Sequence, residues 1–143
     1  MLPPLQIVLC GQPGERASVV RGLEEFFREK ELPRDIANAA DLALEEHLTN
    51  VLSYAYEPGA PHRIVVGLKV EGGWLCVDVE DDGKAFDPLT APPADTSVPL
   101  ADKPIGGLGV HLMRQFMDEL SYARERGRNM LRMRKRCDPT RHK

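Results

Sequence analysis

The sequence is organised around one stretch, Asp81-Asp82-Gly83-Lys84-Ala85-Phe86-Asp87-Pro88. Residues 74–80, just before it, alternate apolar and polar side chains as a half-buried strand does. Asp81 is therefore predicted where a strand ends, a position that holds a side chain rigidly. Asp-Gly is also a common turn pair, and a plain turn explains the stretch equally well when it is taken alone.

A second glycine-rich stretch, Gly106-Gly107-Leu108-Gly109, follows after a long loop. The loop, at about residues 87–106, is rich in proline and has little periodicity, which is typical of a lid or a disordered segment. Apolar residues recur at helical spacing after the glycines, at Val110, Met113, Phe116 and Met117. The glycines are therefore predicted to begin a helix, and the free N–H groups of a helix N-terminus suit a phosphate.

Familiar nucleotide motifs do not fit these glycines. Leu112 stands where a Rossmann fingerprint needs its third glycine, and no Gly-Lys-Ser/Thr of a Walker A loop is present. A calcium loop beginning at Asp78 also fails, because Leu89 occupies the position that needs a bidentate glutamate.

Two helices are predicted before the central stretch. The first runs from Glu15 to about Glu31, with one apolar stripe at Val19, Val20, Leu23, Phe26 and Phe27. The second runs from about Asp35 to Tyr56, with its main stripe at Ile36, Ala40, Leu44, Leu48, Val51 and Ala55. Glu46 and Asn50 lie on a neighbouring stripe four residues apart, so both project from the same helix face.

Five strands are predicted, at residues 5–10, 63–70, 74–80, 119–125 and 129–136. The order is a strand, two helices, a hairpin, the loop, a helix and a second hairpin. Strands grouped in hairpins with helices between them predict an α+β fold, a two-layer sandwich of a mostly antiparallel mixed sheet covered on one face by helices. The 143 residues are predicted to form a single domain.

Composition excludes several classes of protein. The net charge of -3 gives no reason to expect direct nucleic-acid binding. The basic run from Arg124 to Arg136 is predicted to be the solvated side of a hairpin. The three cysteines lack metal-ligand spacing and indicate reduced thiols in a cytoplasmic protein. No stretch reads as a signal peptide or as a membrane span, so no membrane partner is expected.

Taken alone, Glu46 and Asn50 are most simply interpreted as an exposed polar pair on a helix. With the two glycine stretches a second interpretation becomes favoured, because a nucleoside triphosphate brings Mg²⁺, an ion that prefers oxygen ligands and takes few from the protein. Asn50 offers one such oxygen, and Glu46 offers a carboxylate that accepts a proton. Asp81 is then predicted to accept a hydrogen bond from the adenine amino group, with Gly83 leaving room for the base.

Three motifs, Glu46-x-x-x-Asn50, Asp81-x-Gly83-x-x-Phe86-Asp87-Pro88 and Gly107-x-Gly109, resemble the N, G1 and G2 boxes of the GHKL ATPases. The chain looks most like the bacterial anti-sigma-factor serine/threonine kinases, over about residues 5–136. The resemblance implies a Bergerat-type ATP site. Site residues follow from it: Glu46 as general base, Asn50 as the Mg²⁺ ligand, and Asp81, Gly83, Phe86, Gly107 and Gly109 around ATP.

The resemblance also implies partners. Members of the family bind a sigma factor and phosphorylate a serine or threonine of an antagonist protein. Dimerisation is common among such kinases, and no stretch of this chain determines whether it forms a homodimer. Two alternatives stay open: a nucleotide-sensing binding module without kinase activity, and an ATP-binding domain detached from a larger machine. Tyr54 stands where many relatives carry histidine. His47 is expected to have a structural or surface role, and His111 is expected to be incidental.

Overall fold

The computed structural model describes residues 5–11, 13–90 and 112–137. Five strands, two long helices and a short 3₁₀ turn are defined within them. In chain order these are β1 (Leu5–Leu9), α1 (Glu15–Glu29), α2 (Arg34–Tyr54), β2 (Ile64–Glu71), β3 (Trp74–Asp81), the 3₁₀ turn (Pro88–Thr90), β4 (Glu119–Glu125) and β5 (Arg128–Arg136). Residues 112–116 are also helical and agree with the predicted last helix, whose predicted beginning lies outside the described residues.

The strands form one sheet in the order β1-β2-β3-β5-β4, and each described pair is antiparallel. Alternation along β2, β3 and β5 places one set of apolar side chains on the same face, because Val66 pairs with Val79 and Val79 with Leu131. Those side chains join buried residues of α1 and α2 in one core. The predicted α+β architecture, a sheet covered on one face by helices, is confirmed.

The apolar stripe of α2 packs as its spacing predicts, because all six of its members are buried. In α1 the prediction is only partly right. Val19, Leu23 and Phe26 are buried, but Val20 is 49% exposed. The helix begins after Gly14, and the Glu15 carboxylate accepts hydrogen bonds from the backbone N–H groups of residues 10 and 11 at 2.6 and 2.9 Å. These bonds fix the angle at which α1 leaves β1.

The opposite face of the sheet carries charged side chains. Arg132 pairs with Asp78 at 2.9 Å, and Arg128 pairs with Glu80 at 3.1 Å. The guanidinium of Arg134 lies 4.2 Å from the ring centroid of Trp74. The basic run of β5 therefore lies largely on the side of the hairpin turned away from the helices. Within the described residues, no helix has the length and apolar character needed to cross a bilayer.

Candidate nucleotide site

One face of α2 presents the two residues predicted to act on a phosphate. Asn50 is fully buried, yet neither its Nδ2 nor its Oδ1 has a hydrogen-bond partner among the described residues. A buried amide without partners costs free energy, on the order of 1–3 kcal/mol, so such a group indicates a position that a ligand completes. Glu46, one turn earlier, is half-buried, and no described residue forms an ion pair with its carboxylate.

The carboxylate of Asp81 lies at the end of β3 and is also buried. Its Oδ1 accepts hydrogen bonds from the Gly83 N–H at 3.0 Å and from Asn129 Nδ2 at 2.9 Å. No hydrogen bond from a described residue reaches Oδ2. Burial raises the pKa of this carboxyl group, while the two hydrogen bonds and the charge of Arg124 oppose the rise. Two hydrogen bonds to Oδ1 thus hold the buried carboxylate of Asp81 in place. Its Oδ2 has no donor among the described residues and is left to accept a hydrogen bond.

Asn129 is a site residue that the sequence prediction missed. It pairs directly opposite Asp81 in the β3–β5 ladder and is 3% exposed. Its Nδ2 donates to Asp81 Oδ1 at 2.9 Å and to the Lys84 carbonyl at 2.8 Å, while its Oδ1 accepts from the Phe86 N–H and from the Tyr122 hydroxyl. The sequence did contain a signal for Asn129. Alternate positions of β5 on this face are apolar, at Leu131 and Met133, and Asn129 is the polar exception.

Gly83 has a structural role that the sequence did not reveal. A Cβ at this position would lie 2.5 Å from the carbonyl oxygen of Ala55 and 2.8 Å from its Cβ. The same carbonyl accepts a hydrogen bond from the Lys84 N–H at 2.9 Å. Gly83 therefore lets the turn approach the end of α2. Its predicted place against an adenine stays a prediction.

The turn after β3 is also attached to α2 through aromatic side chains. The ring of Phe86 stacks on Tyr54, with centroids 5.4 Å apart and planes 23° apart. The Tyr56 hydroxyl donates to Asp82 Oδ1, which also accepts from the Arg63 N–H at 3.1 Å. Because Tyr54 lies one turn after Asn50 on the same helix face, these contacts bring the Asn50 face and the Asp81 turn to one region of the molecule.

Several predicted features lie outside the described residues. These are Gly107, Gly109 and His111, together with most of the predicted lid. Of the lid, the structure describes Asp87 to Thr90, where Asp87 Oδ1 accepts a hydrogen bond from the Leu89 N–H at 2.8 Å. The lid boundaries and the part that the glycines play at a phosphate therefore stay predictions.

The residues that are described fit a magnesium ion with few protein ligands. Across 5–11, 13–90 and 112–137, no group of three or more His, Cys, Asp or Glu side chains is arranged to hold a metal. Asn50 instead offers a single unpaired amide oxygen in a buried position. Mg²⁺ usually keeps several waters and takes one or two protein ligands along with phosphate oxygens, so this donor set suits it better than it suits Zn²⁺ or Ca²⁺.

His47 adjoins Glu46 in sequence but is turned away from the Glu46–Asn50 face. Its side chain is 3% exposed, and its Nδ1 has no hydrogen-bond partner within the described part of the chain. Burial lowers the pKa of this imidazole to about 4, so it is neutral at physiological pH. Of the structural and surface roles predicted for it, the structure supports the structural one.

Comparison with known proteins gives one family match and one similar curated protein. The family model described as histidine kinase-like ATPase domain matches residues 12–135. The serine/threonine-protein kinase BtrW of Bordetella bronchiseptica is 38% identical over 90 residues, which cover 63% of this chain and 63% of that protein. The chain thus spans less than two thirds of that relative.

Two solved structures share the fold. The RsbU and RsbW domains of Rv1364c from Mycobacterium tuberculosis superpose with a TM-score of 0.67 and 18% identity, covering 95% of this chain and 33% of that one. A blue-light activated histidine kinase, EL346 of Erythrobacter litoralis, gives a TM-score of 0.58 and 23% identity, over 78% of this chain and 34% of that one. The resemblance predicted from the three sequence motifs is confirmed.

Proposed function

Because the chain belongs to the family of histidine kinase-like ATPase domains, we propose that it is an ATP-dependent serine/threonine kinase that regulates a sigma factor. In this proposal it phosphorylates a small antagonist protein and sequesters the sigma factor, in the cytoplasm where ATP is available. The observation that carries the proposal is Asn50, a fully buried amide without a partner among the described residues, one helical turn from the carboxylate of Glu46. The kinase name of the 38% identical relative supports it.

The roles of the side chains follow from their chemistry. Asn50 would hold Mg²⁺ through its amide oxygen, and the ion would neutralise charge on the phosphate oxygens. Asp81 would accept a hydrogen bond from the adenine amino group through its remaining oxygen. Phe86 would line the base side, and Gly107 and Gly109 would approach the phosphates.

The transfer itself needs one base. The hydroxyl oxygen of the acceptor serine or threonine attacks the γ-phosphorus as the bond from that phosphorus to the bridging oxygen breaks, and ADP leaves. Glu46 would accept the proton from the attacking hydroxyl. Its half-buried position and its lack of an ion pair within the described residues leave the carboxylate free to do so.

Two measurements test the proposal in sequence. In calorimetric titration with ATP and magnesium, the wild type should show saturable binding. Asn50→Ala should bind ATP much more weakly. Transfer from γ-labelled ATP to candidate antagonist proteins should then fall by roughly 100-fold or more in Glu46→Gln, with ATP binding kept. Glu25→Gln, an exposed change on α1, is the matched control and should transfer normally.

The outcomes separate the candidate functions. Full transfer by Glu46→Gln would remove Glu46 from the role of base. Saturable ATP binding without transfer to any antagonist would favour the nucleotide-sensing module instead. Titrations without heat or saturation would exclude both.

A further inference from the structure

A groove separates α1 from α2 and reaches the sheet at Leu9 and Ile64. Its first half has a volume of about 320 Å³ and mostly apolar walls, formed by Leu9, Val19, Leu23, Leu44, Leu48 and Leu52. Its second half, of about 490 Å³, is more polar and shares Val20, Leu23 and Asp41 with the first. The shared residues make the two halves one elongated groove, hereafter the helix groove. This shape suits a polypeptide segment better than a small molecule.

Apolar surface is left uncovered along the helix groove. Val20 is 49% exposed and Leu52 is 38% exposed, and both contribute to its walls. Val20 belongs to the stripe of α1 whose spacing predicts burial, yet the described residues leave about half of it exposed. Burying such side chains gains about 1 kcal/mol or more each, so this surface favours a partner with apolar side chains.

Carboxylates gather where the two halves meet. The pKa of Asp41 is raised, first by burial and then by the negative charges of Glu45 and Glu24. Glu45 is paired with Arg16 across the groove at 2.6 Å, whereas Asp41 and Glu24 form no ion pair within the described residues. Arg28 and Arg34 line the far end. A cation placed beside Asp41 and Glu24 would relieve this concentration of negative charge.

The secondary structure that lines the helix groove determines which conformation a bound segment can adopt. The long walls are the helices α1 and α2, whose backbone N–H and C=O groups are bonded internally, so a strand could not extend them by backbone hydrogen bonds. The sheet residues at the base, Leu9 and Ile64, are already paired with each other in the β1–β2 ladder. Recognition must then run through side chains. An amphipathic helix that lays its apolar face into a groove is the mode that meets this condition.

We propose that the helix groove binds an amphipathic helix of a partner protein, with its apolar residues between α1 and α2 and a lysine or arginine against Asp41 and Glu24. The inference rests on the proposed function only in supposing that the chain acts on other proteins. It assigns the docking surface to the groove between the helices, whose lining includes neither Asn50 nor Asp81 of the nucleotide site.

Synthetic helical peptides test the fit directly. One peptide carries leucines on one face and lysines beside them, and a second carries glutamates in place of the lysines. By fluorescence anisotropy the lysine peptide should bind at least about tenfold more tightly, a factor of ten being 1.4 kcal/mol. Asp41→Lys should reverse this preference, because it exchanges the attractive charge for a repulsive one.

Controls separate the groove from the rest of the molecule. Leu52→Gln and Val20→Gln should each weaken the lysine peptide about tenfold, whereas Leu42→Gln, equally exposed on α2 but outside the groove, should not. Circular dichroism and ATP titration should be unchanged in every variant, so a failure here is distinct from a failure of nucleotide binding.

Equal affinity for the two peptides, or an unchanged preference in Asp41→Lys, would overturn the proposal. A change in sedimentation from dimer to monomer on Leu52→Gln would overturn it too, because the groove would then be an interface between copies of this chain.

Discussion

Asn129→Ala is the substitution that most directly tests how the candidate adenine site is held together. The side chain makes four hydrogen bonds, to Asp81, Lys84, Phe86 and Tyr122, and it is 3% exposed. Alanine removes all four. Water can replace some of them at the partly exposed turn but cannot easily reach the buried Oδ1 of Asp81.

The magnitude follows from that difference. A hydrogen bond to a charged group contributes about 1.5–3 kcal/mol, and an ordinary one about 0.5–1.5 kcal/mol. With partial replacement by water, we expect Asn129→Ala to lower the free energy of unfolding by about 2–4 kcal/mol. The Asn129 bond also lowers the pKa of Asp81, so its loss should raise that pKa further. A displaced or protonated carboxyl group should weaken ATP binding by about 10–100-fold.

Urea denaturation measures the first effect, and calorimetric titration with magnesium and a non-hydrolysable ATP analogue measures the second. Asn38→Ala is the matched control, because Asn38 is an exposed asparagine on α2 with no side-chain hydrogen bond to the described residues. If Asn129→Ala unfolds at the wild-type urea concentration and binds the analogue within about twofold of wild type, Asn129 does not position Asp81.

Two further substitutions test the packing around the site. Gly83→Ala should lower the free energy of unfolding by about 1–3 kcal/mol, because its Cβ would lie 2.5 Å from the Ala55 carbonyl oxygen. Gly22→Ala is the control and should be neutral or stabilising in the same urea denaturation, because the nearest atom to its Cβ is the flexible end of Ile7 at 3.3 Å. Burial lowers the pKa of His47 from 6.5 in the unfolded chain to about 4 in the folded chain. Its contribution to the free energy of unfolding is therefore fully present above about pH 6.5, and about 3 kcal/mol is lost as the pH falls to about 4. His47→Leu should flatten this fall in urea denaturation across that range, and an unchanged fall would show that another group causes it.

The sequence alone determined the local elements and the candidate site motifs. Period-3.6 stripes located α1 and α2, and alternation located the strands to within about one or two residues, because these patterns reflect which face of each element is buried. The spacing from Glu46 to Asn50 was readable for the same reason, since residues four apart in a helix share a face. Asp81 was correctly placed at the end of its strand.

Only the tertiary structure decided which distant groups meet. Asn129 lies 48 residues from Asp81, and it reaches the carboxylate because β5 pairs with β3 in one register. The need for glycine at position 83 arises from the end of α2, and the exposure of Val20 arises from the gap that separates α1 from α2. Periodicity along the chain reports burial averaged over a helix or strand face. Register and the distance between neighbouring elements depend instead on how segments far apart in sequence pack together, and no local pattern encodes that.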